Sequence, residues 1–246
     1  MSKYKTKYKQ EFIILDKRYN AVGRHIKKLV DGVSVTPLII EGPAGVGKTT
    51  MVRKFLEEYG HTRYELVAGK LTPMALYMWI HKMKNNGAIL ILDDTDSTLE
   101  NTDALNILKA ATDTSKRHVS WITARPIAGL PLQFETEGSI IILSNSTFSN
   151  STRSKKKDHL DAIMSRSLHQ TISDDNDEHK FIQLCYTIFT HGMLGNHTTD
   201  EIDVMLEYIE SRIGDFKKFD LRTAQKLSEI YVQEPDTWRD TADVML

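Results

Sequence analysis

Short apolar runs, separated by longer segments of helical periodicity, dominate the first two thirds of the chain. The runs are shorter than a buried helix requires, which is typical of strands. Because several of them are apolar at consecutive positions, we expect strands buried on both faces, as in a parallel sheet. The sequence therefore predicts an α/β fold with strands at residues 38–40, 64–67, 88–92, 139–143 and, at one edge, 168–172.

The pattern changes after residue 173. Apolar residues there recur at three- and four-residue intervals, and an acidic stretch gives a helix-start signal. The predicted helical faces are Phe181, Leu184, Cys185 and Ile188, then Ile202, Met205, Leu206 and Ile209, then Leu221, Ala224, Leu227 and Ile230. We therefore predict a large α/β subdomain over residues 17–173 and a small all-helical subdomain over residues 174–246.

Residues 1–16 form a basic segment of a different character. Lysine alternates with polar or aromatic residues up to Gln10, and the stretch has nothing to bury. This pattern predicts a mobile N-terminal tail. Interleaved lysine and tyrosine could alternatively hold phosphates and stack on bases.

Composition narrows the class of protein. The 246 residues are 40% hydrophobic and 26% charged, as in soluble globular proteins. No apolar run approaches the roughly 20 residues that span a bilayer, so we expect a cytoplasmic protein without membrane contact. Cys185, the single cysteine, excludes a disulfide framework and a cysteine-based zinc site. A net charge of −1 means that nucleic acid would have to bind at local basic patches.

A complete phosphate-loop motif of the Walker A type follows the first predicted strand and precedes a helical pattern. Its glycines let backbone N–H groups turn toward phosphates, and the helix presents its positive end to the same anion. Lys48 is predicted to reach the β- and γ-phosphates of ATP, and the Thr49 hydroxyl to bind Mg²⁺. The predicted nucleotide-binding residues are Gly42, Pro43, Ala44, Gly45, Val46, Gly47, Lys48, Thr49 and Thr50.

Two carboxylates end the strand at residues 88–92, in a Walker B pattern. Asp93 is predicted to bind Mg²⁺ through water, and Asp94 to orient and deprotonate the attacking water. Glutamate is the usual residue at the second position, so Asp94 predicts slow hydrolysis or an intervening water. Asp96 could compete for this role, or could only support a capping box formed by Ser97 and Glu100.

A third polar group ends the strand at residues 139–143. An amide at the carboxyl end of a central strand beside the Walker B motif can hold the attacking water or the γ-phosphate. Asn145 is therefore predicted to sense the nucleotide.

These motifs, with residues 161–166 and 220–223, resemble the AAA+ ATPases, especially replication-type and bacteriophage-encoded members. The resemblance implies a three-layer P-loop NTPase core with a parallel sheet, followed by a helical lid. It also implies a homo-oligomeric ring or spiral with ATP between subunits. By the same resemblance, Asn145 is sensor 1, Arg166 is an arginine finger acting on a neighbouring subunit, and Arg222 is sensor 2. Alternatively, Arg166 is a surface arginine, and Arg222 only pairs with Asp220 or another acid.

Two basic segments could contact a polymer. One contains Lys116 and Arg117, within a β-rich insertion at residues 114–138 that could grip nucleic acid or could be a solvated loop. The other contains Lys155, Lys156 and Lys157, which could face DNA, an acidic neighbour or solvent.

Three functions remain open. The first is a motor or loader acting on DNA or on a DNA-bound assembly, in the host cytoplasm if the protein is viral. The second is a remodeller of a protein client, although residues 69–72 lack the aromatic that threads polypeptides in related proteins. The third is a nucleotide-gated scaffold that hydrolyses ATP slowly because of Asp94.

Overall fold

The computed structural model describes residues 2–122, 127–145, 154–173 and 175–245, apart from the side chains of residues 154–156. None of the helices in this described part is long and apolar enough to cross a membrane. In chain order, the elements are α1 (Lys3–Lys7), α2 (Lys9–Val30), β1 (Leu38–Glu41), α3 (Lys48–Glu58), β2 (Tyr64–Ala68), α4 (Pro73–Lys82), β3 (Ile89–Asp93), α5 (Asp96–Leu99), α6 (Thr102–Ala111), β4 (His118–Ser120), β5 (Gln133–Glu135), β6 (Ser139–Ser144), α7 (Ser154–Ser165), β7 (Leu168–Thr171), α8 (Asp177–His191), α9 (Thr199–Ser211), α10 (Leu221–Gln233) and α11 (Trp238–Met245).

Within the described residues, five strands form a parallel sheet in the order β2-β3-β6-β1-β7. Consecutive residues of β1, Ile39 and Ile40, are both fully buried, so both faces of the sheet are covered. This burial explains why the apolar runs do not alternate with polar residues. The α/β prediction is confirmed, including the edge position of β7.

Two compact units can be distinguished. The helical unit comprises Met1–Asn20, Pro43–Gly47 and Ser173–Leu246, and the sheet unit comprises Ala21–Gly42 and Lys48–Ile172. The predicted division at residues 16 and 173 stays a prediction, although Ser173 also begins the C-terminal part of the helical unit.

The core of the sheet unit fills the space between the sheet and helices α4 and α6. Leu76 and Tyr77 on α4 and Leu105 and Leu108 on α6 are fully buried in this cluster. Strands β4 and β5 pair antiparallel and add Val119 and Phe134, which lie opposite each other, to the same cluster. The predicted insertion is therefore a hairpin anchored in the core.

The core of the helical unit is built from α8 to α11. The predicted apolar faces of α8 and α9 are buried, as are Leu221, Ala224 and Leu227 on α10. Asn176 caps α8, and Thr198 forms a capping box with Glu201 at the start of α9. These caps satisfy backbone N–H groups that the first helical turn leaves without partners.

The predicted mobile tail is wrong, because residues 3–30 form α1 and α2. Tyr4 is 1% exposed, its ring meets Phe181 edge-on with centroids 5.6 Å apart, and its hydroxyl donates to Glu210 at 2.9 Å. Tyr8 follows four residues later and is buried in the same core. The alternation with lysine obscured this i, i+4 spacing, which places both rings on one helical face.

We expect Tyr4→Ala to lower the free energy of unfolding by about 3 kcal/mol, since it empties a buried aromatic site. Tyr4→Phe keeps the ring and should cost only about 1 kcal/mol, for the lost hydrogen bond to Glu210. Urea denaturation followed by circular dichroism measures both. The exposed Lys5 provides the control Lys5→Ala. Equal stability of Tyr4→Ala and Lys5→Ala would contradict the docking of α1.

Candidate active site

The phosphate-loop motif forms the turn between β1 and α3. Gly45 and Gly47 have φ values of 80° and 89°, a region that residues other than glycine rarely adopt. Because α3 begins at Lys48, the loop leads directly into the positive end of a helix dipole. The local backbone is therefore that of an anion-binding turn.

In the sheet unit, the side chain of Lys48 is held between two oxygen atoms. Its Nζ donates to the carbonyl oxygen of Gly42 at 2.8 Å and to Oδ1 of Asn145 at 2.6 Å. Asn145 directly follows β6, the strand that pairs with β1. The predicted phosphate-binding lysine and the predicted sensor amide are therefore in direct contact.

The predicted magnesium ligands also meet. The Thr49 hydroxyl donates to Oδ2 of Asp93 at 2.8 Å, and Asp93 is buried at the end of β3. Hydroxyl and carboxylate oxygens are ligands that Mg²⁺ accepts in proteins, usually beside water and substrate phosphates. This donor set fits the predicted ion.

Asp94 adopts a backbone conformation that costs free energy. Its φ of 49° makes it the one non-glycine residue with positive φ in the described part of the chain. Such a conformation costs of order 1–3 kcal/mol and persists where surrounding contacts impose it. The exposed carboxylate of Asp94 accepts a hydrogen bond from Nδ2 of Asn145. The amide of Asn145 thus connects Asp94 with Lys48.

The alternative role of Asp96, support of a capping box formed by Ser97 and Glu100, is wrong. α5 begins at Asp96 itself, its N-cap Thr95 makes no side-chain cap, and Asn101 caps the following helix α6. The carboxylate of Asp96 instead accepts from the Ser144 hydroxyl at 2.6 Å and from the backbone N–H of Asn145 at 3.4 Å. Asp96 therefore holds the end of β6.

In the helical unit, the phosphate loop contacts the start of α10. Asp220 caps this helix by accepting from the Arg222 backbone N–H at 2.8 Å, and the Leu221 N–H donates to the carbonyl oxygen of Gly45 at 3.1 Å. A Cβ atom placed on Gly45 would lie 2.3 Å from Oδ2 of Asp220. Arg222 is exposed in the first turn, and its bond to Asp220 runs through the backbone rather than through the side-chain pair that was the alternative to a sensor role.

Residues 38–187 match the family described as ATPase family associated with various cellular activities (AAA), over more than half of the chain. The chain is an AAA ATPase. The predicted resemblance and the predicted ATP hydrolase class are thereby confirmed. Members of this family bind nucleotide, generally with Mg²⁺, which agrees with the loop, lysine and oxygen ligands described above.

The proteins that this AAA ATPase is similar to include a phage protein and a bacterial structure. It is 27% identical over 239 residues to the "Uncharacterized 36.7 kDa protein in nrdC-mobD intergenic region" of Enterobacteria phage T4, covering 93% of this chain and 73% of that protein. It is 10% identical to the RuvB Holliday junction branch migration motor of Thermotoga maritima, with a TM-score of 0.52 over 91% of this chain and 67% of that chain. The RuvB likeness shows a shared fold.

Arg166 lies after α7 in the sheet unit and contacts the C-terminal end of α6. Its Nη1 donates to the carbonyl oxygen of Lys109 at 3.0 Å, and its Nη2 lies 3.2 Å from Asp113. Hydrogen bonds from the Ser115 backbone and hydroxyl, with a smaller contribution from Arg166, lower the pKa of Asp113 to about 2. In this AAA ATPase the predicted finger is therefore engaged within its own chain, and its role in trans stays a prediction.

The two basic segments differ from the prediction in one respect. Lys116 and Lys157 are exposed, but the guanidinium of Arg117 is buried beside α6, where Nε donates to the Ala111 carbonyl at 2.6 Å. Burial lowers the pKa of Arg117 to about 10. Arg117 therefore does not contribute to an exposed basic surface, contrary to the prediction. The side chains of Lys155 and Lys156 lie outside the described residues.

One hydrogen-bonded pair at the end of β1 was missed by the sequence analysis. Glu41 ends β1, is 3% exposed, and its Oε2 lies 2.6 Å from Nε2 of His169 on β7. A charged residue that closes an apolar strand was the available signal. Its partner lies 128 positions away, so only the parallel pairing of β1 with β7 could have identified it.

We expect Gly45→Ala to be more destabilising than Gly129→Ala, although both glycines have a φ of 80°. Nothing lies within 4 Å of a Cβ on Gly129. The free energy of unfolding of Gly129→Ala should therefore fall only by the conformational cost of an alanine at positive φ, about 1–2 kcal/mol. At Gly45 the new atom also meets Asp220, which cannot move without leaving its cap, and a further loss of about 1–3 kcal/mol should follow. Thermal and urea unfolding of both variants measure the difference. Equal losses would contradict the contact between the loop and Asp220.

Proposed function

We propose that this AAA ATPase cleaves the bond between the β- and γ-phosphates of ATP at the edge of the sheet where β1, β3 and β6 end. One observation carries the proposal: Lys48, Asn145 and Asp94 form a continuous series of hydrogen bonds, with Thr49 and Asp93 paired beside them. Water would attack the γ-phosphorus, and ADP and phosphate would be the products.

Each of these residues has a separate proposed role. Lys48 binds the β- and γ-phosphates, and Thr49 and Asp93 hold Mg²⁺, which would neutralise charge on the phosphates. Asp94 accepts the proton of the attacking water, and Asn145 orients that water or the γ-phosphate. The strained backbone of Asp94 and its contact with Asn145 support this assignment, because they hold the carboxylate on the same amide that accepts from Lys48.

We further propose that the chain acts as a homo-oligomeric ring or spiral in which Arg166 completes the site of a neighbouring subunit. The side chains of Arg166 and Asp113 are 28% and 27% exposed, and partly exposed ion pairs of this kind contribute little free energy. Exchanging this pair for a phosphate on a neighbour would therefore cost little. Arg222, exposed on α10 beside the loop contact of Leu221, is proposed to act as the second sensor.

The proposed client is DNA or a DNA-bound protein assembly, in the cytoplasm of the host. This proposal is supported by the shared fold with RuvB, which is described as a Holliday junction branch migration motor. The exposed Lys116 and Lys157 supply positive charge on a chain with net charge −1. A polypeptide client is the second candidate, favoured by Ile122 and Leu132 near the β4–β5 hairpin, which are 87% and 42% exposed.

We expect DNA to stimulate ATP turnover, and Lys116→Ala with Lys157→Ala to reduce that stimulation. Loss of two phosphate contacts should lower the slope of log affinity against log salt by about 2. Steady-state phosphate release and DNA binding at several salt concentrations measure both quantities. Lys17→Ala, at an exposed lysine on α2, is the matched control, and Lys48→Ala gives the background rate. No stimulation by DNA or RNA would favour the polypeptide client.

We expect Arg166→Ala subunits and Asp94→Ala subunits to regain turnover when they are mixed. Each variant alone should be inactive, because a trans arginine contributes about 10³–10⁵ in rate, whereas a mixed interface can combine an intact finger with an intact base. Phosphate release is measured after co-assembly has been verified by differential tags. Asp113→Asn, which removes the charged partner of Arg166 within the chain and leaves its hydrogen bond to the Lys109 carbonyl, should keep its turnover. Co-assembled mixtures that stay inactive would count against a finger in trans.

A further inference from the structure

We propose that Asp96 is a positioning residue that fixes Asn145 for ATP hydrolysis. This inference rests on the proposed function, because it assigns Asp96 a role only through Asn145. Both oxygens of the Asp96 carboxylate face the end of β6: Oδ1 accepts from the Ser144 hydroxyl at 2.6 Å, and Oδ2 accepts from the Asn145 N–H at 3.4 Å. The side chain of Asp96 therefore holds two consecutive residues, Ser144 and Asn145.

The position of Asn145 matters because its amide contacts both reactive partners. Oδ1 accepts from Lys48 at 2.6 Å, while Nδ2 donates to Asp94. Asn145 itself is exposed, so packing does little to restrict its rotation. Hydrogen bonds to an ionised carboxylate are stronger than neutral ones, which suits Asp96 to restrain the backbone from which this amide projects.

The short helix α5, which carries Asp96, is also anchored through Thr98. Thr98 lies on the same short helix, is 1% exposed, and exchanges hydrogen bonds of 3.3 Å with the backbone N–H and carbonyl of Leu71. α5 is thus tied at Thr98 to the segment after β2 and at Asp96 to the end of β6. A site is held accurately when the supporting groups are themselves fixed.

These contacts distinguish Asp96 from a second catalytic base. A base must face the attacking water, whereas the Asp96 carboxylate faces Ser144 and the backbone of Asn145. Asp94, one residue after β3, is the carboxylate that contacts the Asn145 side chain. The two carboxylates therefore have different roles: Asp94 accepts a proton from water, and Asp96 positions Asn145, whose side chain donates to Asp94.

The test compares Asp96→Ala with Asn145→Ala and with the double variant in steady-state ATP hydrolysis. We expect Asp96→Ala to lower kcat about 10–100-fold, as for other residues that orient a functional side chain through hydrogen bonds. KM for ATP should change less than about threefold. Binding of a fluorescent ATP analogue should be equally unchanged. The double variant should be no slower than Asn145→Ala alone, because Asp96 acts through Asn145. Multiplicative losses in the double variant would overturn the proposal.

Two further variants separate positioning from stability. Ser144→Ala removes one of the two contacts to Asp96 and should give a smaller loss of kcat in the same direction, even if Asp96→Ala folds poorly. Thr98→Val loosens the other anchor of α5, so it should lower the melting temperature and reduce kcat less than Asp96→Ala does, because both hydrogen bonds of the Asp96 carboxylate remain. A fall in kcat for Thr98→Val equal to that for Asp96→Ala would overturn the positioning role. Wild-type turnover of Asn145→Ala would instead contradict the proposed function.

Discussion

The parallel register of β1, β3 and β6 is the constraint on which the candidate site depends. Pairing aligns Glu41 with Ser144 and Asp93 with Leu143, so the residues that follow each strand emerge at one level of the sheet edge. A slip of one residue would turn each side chain to the opposite face. Burial on both sides alone would not prevent the slip, because the apolar residues would be covered on either face. The polar residues at the strand ends oppose it, because a slip would carry them into the core.

Hydrogen bonds then convert this alignment into a single polar network. Asp96 holds the end of β6, and Asn145 connects Lys48 on α3 with Asp94 after β3. Three separate elements are therefore linked at one amide. The positive φ of Asp94 is the local cost of this arrangement, and such strain persists only where neighbouring contacts outweigh it.

The sequence predicted the features that depend on neighbouring residues and missed those that depend on distant pairing. The strands, the phosphate loop and the apolar faces of α8 and α9 follow from local pattern. The burial of Tyr4 depends on Phe181 in α8, and the burial of Arg117 depends on the end of α6. The role of Asp96 is invisible for the same reason, since Ser144 lies 48 positions away.

The exposure of the site residues follows their proposed tasks. Lys48 and Asp93, which would hold phosphate and metal throughout a cycle, are 6% and 8% exposed. Asp94 and Asn145, which would change partners during a cycle, are exposed. Buried polar groups keep their partners because an unmade hydrogen bond costs more there than at the surface, where water can replace it. A site built in this way would hold phosphate and metal firmly, while the exposed side chains of Asp94 and Asn145 could exchange hydrogen bonds with nucleotide and water as Asp96 holds the backbone of Asn145 in place.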